Sequence, residues 1–489
     1  MSADHRVAII GAGFSGLGAA IRLKAVGIDD FVVFERAGDV GGTWRANDYP
    51  GCQCDVPSHL YCYSFAANPN WTRTFSSQPE IWDYLRACVE RYGLAGHLRL
   101  GEEVRELSWQ QQPAHWLLET AAGEQTASVV IGAMGALSEP SLPALAGIER
   151  FTGPLFHSAA WRHDVELRGA RVALVGTGAS AIQIAPAIQP EVGELVVYQR
   201  TPPWILPHPD RPISDRERAV YRAAPFAQRL MRGSIACARE AFVLGFRHPR
   251  LGGPGERLAR RHLERQVADP RLRETLRPDY RLGCKRILIS NRYYPALQQP
   301  NVTLVPHAVS EIRPHSIVAA DGIERPADVI VAATGFRVTD PRASHHIRGR
   351  DGRTLAEHWN GRPQAYKGTT IAGFPNLFML LGPHTGLGHT SVVLMIESQI
   401  EYVLGALRAM HEQHIGALEP RAAAQAAFVA GVRRRARGTV WESGGCASWY
   451  LDAGGHSVLW PDSARRFQRA LRHFDLTSYL ARPYSSSSR

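Results

Sequence analysis

Two stretches of this 489-residue chain set small residues and a charged strand end at the same spacing. In "RVAIIGAGFSGLGAAIRL" an apolar run turns through Gly11, Gly13 and Gly16 into helical spacing, and the next apolar run, "FVVFE", ends in Glu35. In "RVALVGTGASAIQIAPAI" the three places fall to Gly176, Gly178 and Ala181, and "LVVYQR" ends in Arg200. Each charge lies 24 residues after the first glycine of its motif. Such a turn suits a pyrophosphate. The first glycine makes the bend, the second lets phosphate approach the backbone, and the third lets helix and strand close together. The helix N-terminus then offers unpaired N–H groups and a favourable dipole to the anion. A carboxylate at the strand end suits two free ribose hydroxyls, whereas an arginine suits a 2′-phosphate. The opposite charges therefore predict FAD at the first site and NADPH at the second, with Ser180 and Thr201 among the contacts of the second. Lys285, one of only three lysines, is either another contact to that phosphate or a solvated surface cation.

Two strand–turn–helix–strand units imply an α/β fold with two Rossmann-like dinucleotide-binding domains, and the length is too great for one core. The first unit runs to the Pro-rich "SEPSLPALAG", and "ADVIVAATGFRVTDP" reads as a strand from which the chain crosses back. The expected division is an FAD-binding domain over 1–145 and 366–480, and an NADP-binding domain over 150–210 and 284–365. A helical insertion over 211–283 and a disordered tail over 481–489 complete it. A long loop, "WESGGCASWYLDAGGHSVLWP", precedes the end of the first domain.

Composition narrows the classes further. Apolar residues at 45% and charged residues at 21% describe a globular protein, with no targeting leader at its start. The most apolar stretch, "IAGFPNLFMLLG", is too short to span a membrane. Seven cysteines at irregular spacing predict neither a disulfide framework nor a zinc or other metal site, which makes the cytoplasm the default location. The net charge of +11 is concentrated in residues 211–283, with 17 arginines against eight acids. No nucleic-acid module accompanies it, so a solvated helical face is the expectation rather than an anionic partner surface. The oligomeric state is left open.

Between the units lies "FTGPLFHSAAW", whose Phe151, Gly153, His157 and Trp161 match the fingerprint F-x-G-x-x-x-H-x-x-x-W. "GGTWRANDYPGCQCD" matches a second signature at Gly41, Gly42, Trp44, Tyr49, Pro50, Gly51 and Asp55. With "ATGF" and "SWY", the chain resembles the type I Baeyer–Villiger monooxygenases over nearly its whole length. One departure is Arg162, where the family commonly carries Pro or Asp. The resemblance implies that NADPH reduces FAD, O2 adds to give a C4a-peroxyflavin, and this attacks a small-molecule ketone to yield an ester or lactone. An N- or S-oxygenating flavin monooxygenase is the same-fold alternative, against which Trp161 and Asp55 speak.

The resemblance also implies roles. Arg286 would be the cation that stabilises the oxyanion, and Asp55 would hold it by a charge-assisted hydrogen bond. Gly42, Thr43 and Trp44 would lie along the cofactor, although Trp44 reads equally as core. His157 would serve a hinge rather than act as a base, and Trp449 would contact NADP or close the substrate pocket. Cys52 and Cys54 read as packing.

Overall fold

The computed structural model describes residues 4–483 except Ser138. Strand His5–Ile10 has Val7, Ala8 and Ile9 fully buried, the pattern of a central strand covered on both faces. It runs parallel to Phe31–Glu35 on one side and Gly123–Gly132 on the other. Leu98–Leu100 and Leu377–Met379 extend this parallel core. His115–Thr120 and Val104–Gln110 continue it as an antiparallel meander. Helix Phe14–Ala25 covers the sheet and packs on the long helix Val392–Glu412.

The second sheet is wholly parallel, in the order Val302–Val305, Glu194–Tyr198, Arg171–Val175, Val329–Ala332 and Leu155–His157. The fingerprint thus supplies its edge strand. Gly153 sits where an added Cβ would come within 2.2 Å of the Asp328 carbonyl oxygen, so only glycine lets this strand dock.

Five α-helices between Asp215 and Thr275 form the helical insertion. Its ends are joined by a short parallel pair, Ile205–Leu206 with Leu288–Ile289. That pair fixes where the segment just before Leu288 enters the site.

Two expected boundaries shift. Ile347–Arg348 already pairs with Val104–Gln110 of the first sheet, and Leu355 and Trp359 pack in that sheet's core, so the return begins well before 366. The polar letters after 340 hide a strand only two residues long. At the other end, Tyr479–Pro483 pairs with Ile415–Pro420, so the expected tail does not start at 481. Residues 484–489 lie outside the described residues.

The close approach at Gly16 generates a prediction. A Cβ there would sit 1.8 Å from the Gly11 carbonyl oxygen, which is backbone and cannot turn aside. Gly16→Ala is expected to destabilise the fold by about 1–3 kcal/mol and to deplete bound flavin. Thermal melts and flavin absorbance would check this; an unchanged melt with full flavin content would refute it.

Candidate active site

Residues 41–55 are best followed from the first glycine turn outward. Gly41 donates its N–H to the Ala12 carbonyl at 2.9 Å, laying Gly41-Gly42 across the glycine-rich turn. Gly42 caps the short helix Thr43–Ala46, which carries Trp44 inward. The indole is buried and donates its N–H to the Tyr61 hydroxyl at 3.0 Å. Gly51, at φ +81°, turns the chain against the helix Ala181–Ile188 of the second unit, where a Cβ would meet the Gln183 carbonyl at 2.8 Å. The Tyr49 hydroxyl and Gln183 Oε1 lie 3.1 Å apart, and Gln183 Nε2 donates to the Gln53 carbonyl at 2.9 Å. The stretch therefore starts on one nucleotide motif, is pinned to the other, and ends at Asp55.

Asp55 meets Arg286 in a two-pronged pair, with Nε to Oδ2 at 2.8 Å and Nη2 to Oδ1 at 2.6 Å. The third nitrogen, Nη1, donates to the Leu387 carbonyl at 3.3 Å. Burial works to depress the guanidinium's pKa, but Asp55 more than reverses it, and the net shift is upward. Arg286 is a fixed positive charge at any working pH.

Three neighbours were not foreseen from the sequence. Tyr450 is buried beside the pair; burial raises its hydroxyl pKa, while Arg286 pulls the other way. Arg239, from helix Pro225–Glu240, donates Nη2 to the Asp55 carbonyl at 3.1 Å, and burial lowers its pKa. Tyr450 adjoins Trp449 in "SWY" and could have been named with it. Arg239 is one of many arginines, and only the helix's inward face singles it out.

The third neighbour is a correction. Cys284 and Cys446 are joined in a disulfide, with Cα atoms 6.1 Å apart and 162 residues between them, although no bridge was expected. Irregular spacing could not reveal a pair contributed by two distant loops. The bridge ties the segment bearing Lys285 and Arg286 to the loop bearing Trp449 and Tyr450. Trp449 stands exposed and sets the edge of its ring on Tyr450 at 4.4 Å between centroids. Of the other cysteines, Cys54 is buried and Cys52 half-buried.

The nucleotide ends are equally defined. Glu35 is buried; its Oε2 accepts the Ala12 N–H at 2.8 Å and its Oε1 the Ala37 N–H at 2.9 Å, so the acid orients the first turn. Arg200 is exposed and makes no ion pair among the described residues. Lys285 lies with Nζ 5.0 Å from the Tyr280 ring centroid; burial, then the charge of Arg200, depresses its pKa. Both cations line the same cavity, and each raises the cost of the other's charge. A Cβ at Gly178 would meet no protein atom within 4 Å, leaving the backbone open to a close phosphate. Ser180 caps the following helix, and the Thr201 carbonyl accepts from the Thr177 hydroxyl at 3.2 Å.

One cavity of about 1870 Å³ connects these groups. Its lining includes Gly13, Glu35, Thr43, Trp44, Asp55, Gly178, Arg200, Lys285, Arg286 and Trp449. A site for one drug-sized ligand measures about 300–1,000 Å³, so this space suits more than one large ligand. Trp161 also lines it, its ring edge-on to Phe156 at 5.2 Å. His157 is buried, accepts the Ala159 N–H on Nδ1 at 3.1 Å and packs edge-on to Phe336. Burial lowers its pKa. Phe151 packs beside Leu145 and Ile148 in the core of the second unit. Arg162 is paired with Asp164 at the surface, away from this chemistry.

Residues 4–212 match the flavin-binding monooxygenase-like family. A Baeyer–Villiger monooxygenase of Streptomyces coelicolor is 51% identical over 479 residues, covering 97% of this chain and 92% of its own length. One from Pseudomonas aeruginosa is 50% identical, covering 97% and 91%. This chain is a member of the Baeyer–Villiger monooxygenase family. Among solved structures, cyclohexanone monooxygenase from Rhodococcus sp. Phi1 bound to NADP+ is 27% identical with a TM-score of 0.88, covering 98% of this chain and 99% of that one. An oxidized steroid monooxygenase bound to NADP is 29% identical with a TM-score of 0.88, covering 99% and 100%.

For this Baeyer–Villiger family member the bridge has a measurable consequence. Thiol titration of the unfolded, unreduced protein should find five thiols, and seven after reduction. Cys446→Ser frees the Trp449 loop and is expected to weaken NADP+ binding by up to about tenfold, the value of one charged contact, with flavin content unchanged. Seven thiols without reduction, or unaltered NADP+ affinity, would count against the tether.

Proposed function

We propose that Arg286, held by Asp55, is the cation at which this Baeyer–Villiger monooxygenase stabilises the negative charge that develops on the ketone oxygen. The two-pronged pair supports the reading, because it fixes a guanidinium at the junction of the two nucleotide motifs. When bound, FAD would supply the redox chemistry by which two electrons from NADPH let one atom of O2 enter the ketone, giving an ester or lactone, while the other leaves as water. The chain's own residues do the rest. Arg286 needs no proton transfer to carry its charge, and in a cavity shut to water such a charge acts strongly. Trp44 excludes water along one wall, and Tyr450 does so behind the guanidinium.

Glu35 would hold the ribose of FAD, and Gly11, Gly13, Gly42 and Thr43 would line the space for the rest of it, while Gly16 acts through the close approach of helix and turn. Gly176, Gly178, Ser180 and Thr201 would hold the phosphates of NADPH, while Arg200 and Lys285 would meet its 2′-phosphate. Trp449, on its tethered loop, covers that cofactor. Phe151, Gly153, His157 and Trp161 form the hinge between an FAD-binding and an NADP-binding domain, a division supported by the two separate sheets, one mixed and one wholly parallel. No helix of the described residues is long and apolar enough to cross a membrane. Dependence on NADPH favours a cytoplasmic location.

The test is NADPH consumption over a panel of apolar ketones, with product analysis for esters and hydrogen peroxide. Arg286→Ala is expected to lower ester formation by about 100- to 1,000-fold while flavin reduction persists. Loss of reduction to the same degree would make Arg286 a positioner of NADPH instead. Arg200→Ala is expected to raise KM for NADPH by about tenfold or more and leave NADH nearly unaffected. Equal losses with both nucleotides would remove the 2′-phosphate assignment.

A further inference from the structure

Among the described residues, fifteen large apolar side chains stand exposed, and eight of them fall between Val220 and Leu258. Phe226 (65% exposed) and Leu230 (68%) lie one turn apart on helix Pro225–Glu240. Phe242 and Leu244 follow on Phe242–Arg247, and Leu251 lies on the turn Pro249–Gly252. These helices are not loosely attached. Their opposite side carries Gln228 to the Asn68 carbonyl at 2.6 Å and Arg232 to the carbonyls of Leu60 and Cys62. Further along it come Arg239 at Asp55 and the buried Val243 and Phe246. Inward positions 228, 232, 239, 243 and 246 keep a helical period, so a firmly seated helix pair turns its other, apolar face to solvent.

Charge is sorted in the same way. Arg229, Arg250 and Arg257 are exposed, adjoin the exposed Leu230, Leu251 and Leu258, and make no ion pair among the described residues. Arg261 and Arg265 extend this exposed, unpaired row. Of the nearby acids, Glu240 and Glu256 point inward, Glu240 accepting the Ala464 N–H at 3.0 Å and Glu256 pairing with Arg281 at 3.2 Å, whereas Glu264 stands exposed between Arg261 and Arg265. What faces out is apolar side chains set among an excess of guanidinium groups, five exposed arginines against the one exposed acid Glu264.

We propose that this face rests on the surface of an anionic bilayer, as an interfacial contact that spans nothing. Apolar side chains enter the boundary of the acyl chains while arginines meet lipid phosphates, which is the composition such contacts require. A second copy of the chain is the poorer occupant, because a two-fold contact would bring this positive face onto itself. The contact stands apart from the chemistry of the cavity. Its consequence is that helix Pro225–Glu240 touches lipid on one side and Asp55 on the other, setting the site near the phase into which an apolar ketone partitions.

The test uses the flavin-loaded full chain sedimented with vesicles of phosphatidylcholine alone or of phosphatidylcholine mixed equally with phosphatidylglycerol. Binding to the mixed vesicles is expected to exceed binding to the neutral ones by about tenfold or more and to weaken as salt rises. Leu230→Glu combined with Leu244→Glu should abolish it while leaving turnover of a water-soluble ketone unchanged, which shows that the variant is folded. Arg229→Gln with Arg257→Gln should reduce the preference for the anionic vesicles. Absence of binding to either vesicle would overturn the proposal. So would binding that ignores phosphatidylglycerol, or a concentration-dependent dimer that binds no vesicle and that the double glutamate variant splits.

Discussion

The pair between Asp55 and Arg286 is the contact on which the rest of the architecture converges. Its two members lie 231 residues apart in the chain and reach the same point by separate routes. Asp55 is the end of a stretch fastened first to the Gly11–Gly16 turn and then to Gln183 of the second unit. Arg286 enters two residues ahead of the short strand that closes the helical insertion. A shift of either unit relative to the other would pull on this pair. Hydrogen bonds to charged groups contribute about 1.5–3 kcal/mol each, so the pair also works as a clasp between the two nucleotide folds.

Much of that arrangement is legible in the letters because it rests on short-range rules. A glycine turn between an apolar strand and a helix has one physical reading, and the matched offsets of Glu35 and Arg200 distinguish the two copies. The pairing of Asp55 with Arg286 was implied by the family resemblance, and neither periodicity nor spacing within the sequence carries it. What stayed hidden depends on long-range docking. The Cys284–Cys446 bridge, Arg239 beside Asp55, and the strand at Ile347–Arg348 each need a partner more than 150 residues away. No local pattern encodes such a partner. The tail boundary failed for the same reason, since Tyr479–Pro483 is a strand only because Ile415–Pro420 lies beside it.

The insertion shows how composition misleads when read as one quantity. An excess of arginine suggested a solvated helical face, and its arginines turn out to have three separate uses. Arg232 satisfies backbone carbonyls in the core, Arg239 reaches the site, and Arg229, Arg250 and Arg257 stay outside beside exposed apolar groups. Helical period sorts them, and the tilt of that period against the rest of the protein is known only once the helices are docked.

Electrostatics explains why cations can crowd the cavity. Asp55 is the one carboxylate that braces Arg286 directly, and Arg239 approaches its main chain rather than its side chain. The neighbourhood therefore keeps an unneutralised positive charge, and burial with the nearby Arg286 disfavours that charge on Arg239. Lys285 pays a like penalty through its own burial and Arg200. In the proposed reading, an anion arriving in the region of Arg200 and Lys285 relieves that cost on Lys285, whereas in the region of Arg286 the Asp55 carboxylate already offsets the burial of the guanidinium. The Cys284–Cys446 bridge lies between these regions in sequence, next to Lys285 and Arg286 on one side and near Trp449 on the other. Through the bridge the loop that carries Trp449 is joined to the segment that carries the guanidinium, so in the proposed reading a nucleotide held at Trp449 bears on the geometry at Arg286.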